Sequence, residues 1–539
     1  MTDRTDRTGR TGETISPGPC TGGLRPPHPR AISPSIASGL RPPHPRAISP
    51  SIASGLRPPH RRAGSWAALL LAGLITITPG LHAQQLDRTV KPAAGPTPAV
   101  RAPKVVQRTL PNGLVLWVVT DKELPTINAQ LVIRAGAAQD GSTPGIASVT
   151  AGLLDEGTAK RNATQFAEAA DQLGVSLRAG AGTEETSVSL STLTRTADSA
   201  FALMGEMVTQ PAFTAEEIER DRKSRLQNLA RQKDQPTVIA SETFDRLIYG
   251  DSHPYGHAGD GTTESVTALT QNDITGFYQH FYLPNNAVLV IVGDVSPEEA
   301  ARYASLAFGN WKRGTAPASA TEAPVAPATS KTGVFLVDKP GAAQSEIRIG
   351  HAGVPRSSPD YYPLTVLNAV LGGQFTSRIN LNLREARGYT YGARSSWSFD
   401  RGPGPFTASA GVFTAVTDSS LVQFMKELTE IRTSRPASDA EVEFAKGALV
   451  RSYPRLIETD AGVANRLADL AFFGLPPSEL TDFVQRTEAV TTADVNRVAR
   501  SELHPDDFTI VVVGDLAKIR SGVEALNLGP VTVLGPDGR

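Results

Sequence analysis

Apolar and polar positions form two similar patterns, one in each half of the chain. In the first half, β-branched and other apolar residues fill residues 114–119 and 127–133, after the turn dipeptide Asn112–Gly113. In the second half, residues 334–337 have the same character, and residues 346–350 alternate between polar and apolar side chains. These stretches predict that each half opens with β-strands.

Helical spacing follows the strands, and each half closes with a further strand. Apolar residues recur at helical intervals over residues 166–173 and 364–371, and glycine follows both stretches. The β-rich runs AVLVIVGD and FTIVVVGD, residues 287–294 and 508–515, close the two halves. Interleaved strands and helices predict an α/β fold with α+β layers, in which two homologous domains each pack a mixed or antiparallel sheet with helices.

A Pro- and Ala-rich stretch separates the halves. Residues 314–333 have no periodicity, contain prolines along their length and carry a glycine at each end, so we interpret them as a linker. The predicted domains are therefore residues 104–313 and residues 334–533. We expect the linker to act as a hinge between them.

The N-terminal segments have a different character. Residues 1–60 repeat a Pro- and Ser-rich unit with little to bury, which indicates low-complexity sequence and is consistent with a mis-assigned translation start. Residues 61–83 combine two arginines, a short apolar run and a small-residue cleavage site, as in a secretory signal. A signal retained as an anchor is the less favoured interpretation, because the run is short for a bilayer. The Pro- and Ala-rich residues 84–103 predict a flexible lead.

The composition argues against nucleic-acid binding and against cysteine-based sites. The 539 residues contain 53 Lys or Arg and 54 Asp or Glu, with no basic patch or motif that indicates nucleic-acid binding. Cleavage after Ala83 would remove Cys20, the only cysteine. The exported chain could then form neither a disulfide nor a thiolate metal site.

Several short motifs, taken in order, carry a resemblance to a known family. They are LPNGL at residues 110–114, an apolar strand ending in Arg-Ala-Gly at residues 134–136, the segment 145–158, and HPYG at residues 253–256. This order resembles the pitrilysin/insulinase family of zinc metallopeptidases and covers roughly residues 104–516. The resemblance implies two homologous domains in a clam-like arrangement.

The resemblance also implies that the zinc site of the family is degenerate here. Active members carry H-x-x-E-H on a helix, with two histidine ligands and a general base, and a later glutamate as third ligand. The matching positions here hold Ser148, Ala151 and Gly152, and Asn228 for the third ligand. These side chains cannot replace the ligands and base. We expect no zinc in this chain and no activity of this chain alone.

Other polar residues offer no replacement site. His253 and His257 have helical spacing, but Pro254 and Gly256 between them favour a turn with structural histidines over a metal site. We interpret Glu184–Glu185 as solvated residues at the start of a strand. No phosphate loop or serine nucleophile elbow is present.

The second half retains a motif whose side chains could take part in catalysis. LREARGYTYG, residues 383–392, resembles the arginine and tyrosine motif of the family, here Arg384 and Tyr391. The resemblance implies that the pair faces a zinc ion, holds substrate and stabilises the tetrahedral intermediate. A guanidinium donates a charge-assisted fork, and a phenol can donate to an oxyanion. The competing interpretation is that Arg384 caps a helix and Tyr391 is a core aromatic residue.

The resemblance further implies that substrates bind as extended peptides along an exposed strand edge. Main-chain pairing requires no particular side chain, so the edge can survive loss of the metal. A β-bulge is the equally supported interpretation of this glycine-rich stretch. The residues concerned are Arg178, Ala179, Gly180, Ala181 and Gly182.

These features predict a zinc-free subunit of a periplasmic, heterodimeric metallopeptidase. Arg384 and Tyr391 would act in trans, and the zinc would be bound by a homologous partner subunit. The alternatives are a structural or peptide-binding paralogue without a proteolytic role, and an independent peptidase with an unrecognised site. The motif at residues 383–392 favours the first interpretation over a pure scaffold, and the scarcity of histidines disfavours an independent peptidase.

Overall fold

The fold is described from a computed structural model. The described residues are 95, 103–321, 323–325 and 333–539. The predicted low-complexity segment, the predicted signal and nearly all of the predicted lead lie outside them, as does part of the predicted linker. Within the described part of the chain, no helix combines the length and apolar character needed to cross a bilayer.

Both halves belong to one compact unit, Ala93–Arg539. The strands of the first half are β1 (Val105–Thr109), β2 (Val115–Thr120), β3 (Thr126–Ile133), β4 (Ser176–Ala181), β5 (Thr186–Leu193) and β6 (Ala287–Gly293). Its helices are α1 (Ile146–Gly152), α2 (Ala163–Leu173), α3 (Ala197–Thr209), α4 (Ala215–Gln232), α5 (Pro236–Tyr249), α6 (Thr263–Ala268), α7 (Gln271–Phe281) and α8 (Pro297–Phe308). The short helix α9 (Ala318–Thr321) lies in the predicted linker.

The second half repeats this alternation of strands and helices. Its strands are β7 (Gly333–Asp338), β8 (Gln344–Ala352), β9 (Thr390–Trp397), β10 (Pro405–Phe413), β11 (Thr509–Gly514) and β12 (Val531–Leu534). Its helices are α10 (Tyr361–Leu371), α11 (Arg378–Asn380), α12 (Thr417–Glu430), α13 (Asp439–Ser452), α14 (Asp460–Phe472), α15 (Glu479–Ala489), α16 (Thr492–Glu502) and α17 (Leu516–Ala525). Helix α11 continues into a π-helical turn, Leu381–Ala386.

Within the described residues, the strands form two six-stranded mixed sheets of matching order. Sheet 1 runs β1-β2-β6-β3-β5-β4, and sheet 2 runs β12-β7-β11-β8-β10-β9. The pairs β2–β6 and β7–β11 are parallel, and the pairs that follow toward β4 and β9 are antiparallel. Only the outermost strand differs, because β1 is antiparallel to β2 whereas β12 is parallel to β7. The predicted fold class of two homologous mixed sheets packed with helices is confirmed.

The two closing runs of the sequence occupy the centres of the sheets. All residues of β6 and β11 are buried. A central strand with both faces covered reads as a continuous apolar run rather than an alternating one. Both faces of each sheet must therefore be covered by other elements.

Each half contributes one helix that packs on the sheet of the other half, and we call α5 and α14 the exchanged helices. Helix α14 of the second half packs its apolar side on Trp117, Val132 and Val290 of sheet 1. Helix α5 of the first half packs on Phe335 and Val511 of sheet 2. Apolar sheet faces must be buried against another layer, and here the other half supplies it. Among the described residues, these packed surfaces join the two halves of the chain.

Candidate functional site

Helix α1 carries the three residues at the predicted zinc-motif positions. It begins after Gly145, whose φ of +91° suits a residue without a side chain. Gly145 N donates to Asp140 Oδ2 at 2.6 Å, and Ala147 N donates to Asp140 Oδ1 at 3.0 Å. Burial raises the pKa of Asp140 to about 7, while these two N–H groups act in the opposite direction. Asp140 thus satisfies the first turn of α1 and holds the helix in place.

Arg225 of α4 fills the space beside α1. Its Nη1 donates to Ser148 Oγ at 2.8 Å, and its Nη2 donates to the Ser148 carbonyl at 2.8 Å. Its Nε donates to Asp221 Oδ2 at 2.6 Å. A Cβ atom at Gly152 would lie 2.8 Å from Arg225 Nη2. A protein cation therefore ties α1 to α4, and a histidine at residue 152 would require Arg225 to move.

Asn228 lies elsewhere on α4. It is exposed, and its Oδ1 accepts a hydrogen bond from Arg231. The α4 residue that contacts Ser148 is Arg225, three residues earlier. Sequence reasoning missed Arg225, although its spacing from Asp221 is that of a helical ion pair. The described residues contain no group of three His, Cys, Asp or Glu side chains arranged to hold a metal ion.

A polar cavity of about 410 Å³ adjoins Ser148. The end of β4 forms part of its wall, and Glu242, Asp245 and Asp260 contribute carboxyl groups. Burial raises the pKa of Glu242 and raises that of Asp245 to about 7. The space beside the degenerate motif is thus acidic.

The turn at residues 253–256 also borders this cavity. His253 Nε2 lies 2.8 Å from the Val325 carbonyl, and Tyr255 N donates to His253 Nδ1 at 3.1 Å. His257 Nδ1 lies 4.0 Å from Asp140 Oδ2, and burial lowers the pKa of His257. The interpretation of His253 and His257 as residues of a turn is confirmed.

Strand β4 contains most of the predicted peptide-binding residues. It is the outermost strand of sheet 1, and Arg178 and Gly180 are exposed on it. Its register with β5 is continuous from Ser176 to Ala181, so the bulge interpretation is wrong for these residues. Gly182 lies just beyond the strand, where its N–H donates to the Glu185 carbonyl at 2.7 Å. Peptide binding at this edge stays a prediction.

Glu184 joins the two halves of the chain. Its side chain is 2% exposed. Glu184 Oε1 accepts from Tyr255 Oη at 2.8 Å, and Glu184 Oε2 accepts from Arg401 N, in the loop between β9 and β10, at 2.7 Å. Gly402 N donates to Tyr255 Oη at 3.0 Å. The expectation of a solvated Glu184 is wrong, because a loop of the second half covers it.

Glu185 is partly buried. It borders a cavity of about 380 Å³ together with Glu184, Asp400 and Asp469. Burial, followed by the charges of Glu184, Asp469 and Asp400, raises the pKa of Glu185 to about 7. Burial likewise raises the pKa of Asp400 to about 6. The contact between the halves therefore contains a group of carboxyls that resist ionisation, contrary to the predicted solvation of Glu185.

Arg384 lies in the π-helical turn of the second half. Gly388, with a φ of +65°, ends this turn, and its N–H donates to the Arg384 carbonyl at 3.0 Å. The Arg384 guanidinium carbon lies 4.4 Å from the ring centre of Phe375, and its Nε lies 3.6 Å from Glu385 Oε1. The partners of the guanidinium are thus an aromatic ring and a neighbouring carboxylate, and these contacts do not support the helix-cap interpretation.

Tyr391 is turned outward by a β-bulge. Ala393 pairs with Ala410 and Thr390 pairs with Val412, so Tyr391 and Gly392 together oppose one residue of β10. Ala393 is buried, and regular alternation would have placed Tyr391 on the same face. The extra residue changes the phase, and Tyr391 is 80% exposed. The interpretation of Tyr391 as a core aromatic residue is wrong.

The structure separates the two predicted sets of site residues. Arg384 lies in the π-helical turn before β9, and Tyr391 lies at the start of β9, where it meets Phe413 of β10 with ring centres 5.9 Å apart. The residues that line the cavity beside Ser148 include neither of them. Within this chain, the arginine and tyrosine therefore do not line the cavity beside the degenerate motif.

Two family descriptions match this chain. Residues 117–251 match the description "Insulinase (Peptidase family M16)", and residues 268–449 match "Peptidase M16 inactive domain". Together these matches span more than half of the 539 residues. They fall on both halves of the fold.

Curated relatives and solved structures agree with these matches. An uncharacterized zinc protease of Mycobacterium leprae is 27% identical over 419 residues, which cover 75% of this chain and 91% of that protein. A non-peptidase homologue of Helicobacter pylori is 22% identical over 400 residues, which cover 73% of this chain and 90% of that protein. The crystal structure of a peptidase M16 inactive domain from Pseudomonas fluorescens superposes with a TM-score of 0.72 and 28% identity, covering 76% of this chain and 98% of that one.

Proposed function

Because the chain belongs to peptidase family M16, the insulinase family, we propose that it is the zinc-free subunit of a two-chain metallopeptidase. Arg384 and Tyr391 would act on peptides bound at the zinc of a homologous partner subunit. The observation that carries this proposal is Tyr391, seven residues after Arg384, which a β-bulge turns outward to 80% exposure. A residue that served only packing would be buried on this strand.

The first half supports the same assignment. A zinc ion does not fit the degenerate motif of this chain, because Arg225 occupies the space beside Ser148 and Gly152. In the partner, zinc would polarise the peptide carbonyl and activate water. This chain would contribute the guanidinium fork of Arg384, which holds the peptide, and the phenol of Tyr391, which donates to the developing oxyanion.

A second chain also accounts for the position of the pair. The exchanged helices α5 and α14 fill the surfaces between the two halves of this chain. A chamber large enough for a peptide would therefore lie between this chain and its partner. The edge of β4 is suited to hold an extended peptide by main-chain pairing.

We extend the proposal to cellular location and to catalytic state. The arginines and apolar run of residues 61–83 support export to the periplasm. Similarity to a non-peptidase homologue and to an M16 inactive domain supports a subunit that does not cleave peptides alone. The open edge of β4 favours a second candidate function, a peptide-binding paralogue without a proteolytic role.

Reconstitution tests the proposal. The chain is produced with an H-x-x-E-H homologue from the same genome, and cleavage of unstructured peptides is measured for each chain alone and for the mixture. We expect activity only, or mainly, in the mixture. Tyr391→Phe should lower kcat by roughly 100- to 1,000-fold while KM stays close to the wild-type value. Arg384→Ala should also raise KM, because the charged fork binds the substrate before reaction.

Tyr389→Phe is the matched control, since it removes a hydroxyl two residues away in the same motif. It should leave kcat and KM unchanged. Unchanged kinetics in a fully assembled Tyr391→Phe complex would contradict the catalytic role of Tyr391. A mixture no more active than the zinc-bearing chain alone would favour the peptide-binding paralogue.

A further inference from the structure

Each member of the arginine and tyrosine pair contacts an exposed phenylalanine from a different element. The Arg384 guanidinium carbon lies 4.4 Å from the ring centre of Phe375, in the loop after α10. Tyr391 meets Phe413, the last residue of β10, in an edge-on arrangement with ring centres 5.9 Å apart. Phe375 is 61% exposed and Phe413 is 41% exposed. The two aromatic contacts thus form on the outside of the fold.

The loop that carries Phe375 is fixed to the strand that carries Tyr391. Asn380 Nδ2 donates to the Phe375 carbonyl at 2.6 Å, while Asn380 Oδ1 accepts from Ala393 N of β9 at 3.1 Å. Ser395 N of β9 donates to the Gly372 carbonyl at 3.1 Å. Asn380 itself is buried. The Phe375 ring therefore projects from a backbone whose position relative to β9 is set by hydrogen bonds.

Packing of the core does not explain these contacts. Arg225, in the first half, has three hydrogen bonds to protein oxygens that hold its guanidinium. Arg384 has a ring face and a carboxylate at 3.6 Å. A guanidinium held over an aromatic face is restricted in orientation, and its N–H groups can still donate hydrogen bonds to another molecule. An edge-on contact between rings likewise restricts a tyrosine without using its hydroxyl.

We propose that Phe375 and Phe413 are positioning residues that orient Arg384 and Tyr391 for substrate. The catalytic part of this inference rests on the proposed function, whereas the restriction of Arg384 by Phe375 does not. A long arginine side chain samples many rotamers in solution and loses this freedom when it binds. A ring that already holds the guanidinium reduces that loss. Phe375 orients Arg384 and so favours substrate binding. Phe413 orients Tyr391 and so favours the reaction of the bound substrate.

Chemical modification of the chain without a partner tests the Phe375 contact. Arg384 is modified with phenylglyoxal and followed by peptide mass spectrometry in wild type, Phe375→Leu and Phe375→Trp. We expect modification about two- to five-fold faster in Phe375→Leu, because leucine provides no ring face, and close to the wild-type rate in Phe375→Trp. Phe444→Leu is the matched control, since Phe444 is 55% exposed on α13. Equal rates in wild type and Phe375→Leu overturn the positioning of Arg384.

Kinetics of the assembled two-chain complex test the consequence. Phe375→Leu should lower kcat/KM by roughly 3- to 10-fold with a raised KM, and Phe375→Trp should restore it. Phe413→Leu should lower kcat by a similar factor at nearly constant KM. In an Arg384→Ala background, Phe375→Leu should have no further effect. An additional loss in that background would indicate a structural role and overturn the inference.

The two proposals fail in different ways. The substituted phenylalanines are exposed and Arg384 is partly exposed, so the melting temperatures of the variants should match that of the wild type. If Arg384→Ala has no effect on the partner's activity, the proposed function fails, and the phenylglyoxal rates still decide whether Phe375 holds Arg384. If Arg384→Ala lowers activity but Phe375→Leu and Phe413→Leu do not, the proposed function stands and this inference is overturned.

Discussion

The corresponding outer strands β4 and β9 differ in what their edges contact. Strand β4 of sheet 1 pairs with β5 on one side, and its other edge has no strand neighbour among the described residues. On β9 of sheet 2, Ala393 N donates to Asn380 and Ser395 N donates to the Gly372 carbonyl. An open edge can accept another strand, whereas a paired edge cannot. One fold thus leaves the edge without a strand partner in one half and uses the corresponding edge to anchor the loop beside a side-chain motif in the other.

Arg225 and Arg384 differ in the same way, because the protein occupies the hydrogen-bond donors of the first and leaves those of the second available. Arg225 in the first half is held by Asp221 and by two oxygens of Ser148. Arg384 in the second half rests on a ring and is partly exposed. A guanidinium whose donors are satisfied within the protein serves the fold, whereas one with free donors is available to a ligand. The difference supports a structural role for the first site and a functional role for the second.

The largest expected effect concerns the helices that the halves exchange. Leu467→Ala on α14 and Leu247→Ala on α5 each remove a buried side chain from the contact with the other half's sheet. If α14 stabilises sheet 1 as much as α5 stabilises sheet 2, each variant should lose about 2–5 kcal/mol of unfolding free energy. Urea denaturation measures it. Leu306→Ala, on the exposed face of α8, is the control and should change stability by less than about 0.5 kcal/mol. A large loss in only one variant would show that one half depends on the other.

The second prediction concerns pH and the carboxyl cluster between the halves. The pKa of Glu185 is raised by burial to about 7, so the folded state holds its proton at a pH where the unfolded chain has lost it. Stability should therefore be highest below the unfolded pKa and fall as pH rises toward 7. Glu184, Asp400, Asp469, Arg134 and Arg401 surround this group and share in the dependence.

Glu185→Gln should remove part of this dependence. Above pH 7 the variant should be more stable than wild type by about 1–3 kcal/mol, because glutamine cannot ionise. Thermal unfolding between pH 4.5 and pH 8 measures the difference. Glu168→Gln, on the exposed face of α2, should leave the profile unchanged. A Glu185→Gln profile parallel to wild type would contradict the assigned cause.

A double-mutant cycle tests whether Arg225 limits the side chain that residue 152 can carry. Gly152→Ala would put a Cβ 2.8 Å from Arg225 Nη2 and should cost about 1–2 kcal/mol, although glycine to alanine usually stabilises a helix. With Arg225→Ala in the background, the same change should become neutral or stabilising. Chemical denaturation of the four proteins gives the coupling energy. Additive changes would show that Arg225 does not constrain residue 152.

The smallest predicted effect distinguishes the two strand edges directly. Asn380→Ala removes the acceptor for Ala393 N, so exchange of that amide with deuterium should accelerate by about 10-fold, equivalent to the loss of one hydrogen bond. Asn382→Ala, in the adjacent turn, is the control, because Asn382 bonds Glu427 and Arg387 rather than β9. Unchanged exchange at Ala393 would mean that another group protects this edge and would weaken the contrast with β4.

Much of the fold was predictable from short stretches of sequence. The closing runs at residues 287–294 and 508–515 contain the central strands, since a strand buried on both faces must be apolar throughout. The motif at residues 383–392 identified Arg384 and Tyr391 as candidate site residues. Gly388 within it ends a helical turn. The exchange of α5 and α14 was not predictable, because apolar periodicity indicates that a face is buried but not which element buries it.

The sequence by itself determined where strands and helices lie and which residue types stand at each motif position, because backbone geometry makes these features local. The tertiary structure decided what those residues do. Tyr391 is exposed because β10 pairs with β9 through a bulge, and Glu184 is buried because a loop some 217 residues later bonds to it. Arg225 of α4 reaches Ser148, 77 residues earlier, because the fold brings its long side chain to α1. Contacts between residues so distant along the chain depend on the packing of whole elements, which local periodicity does not encode.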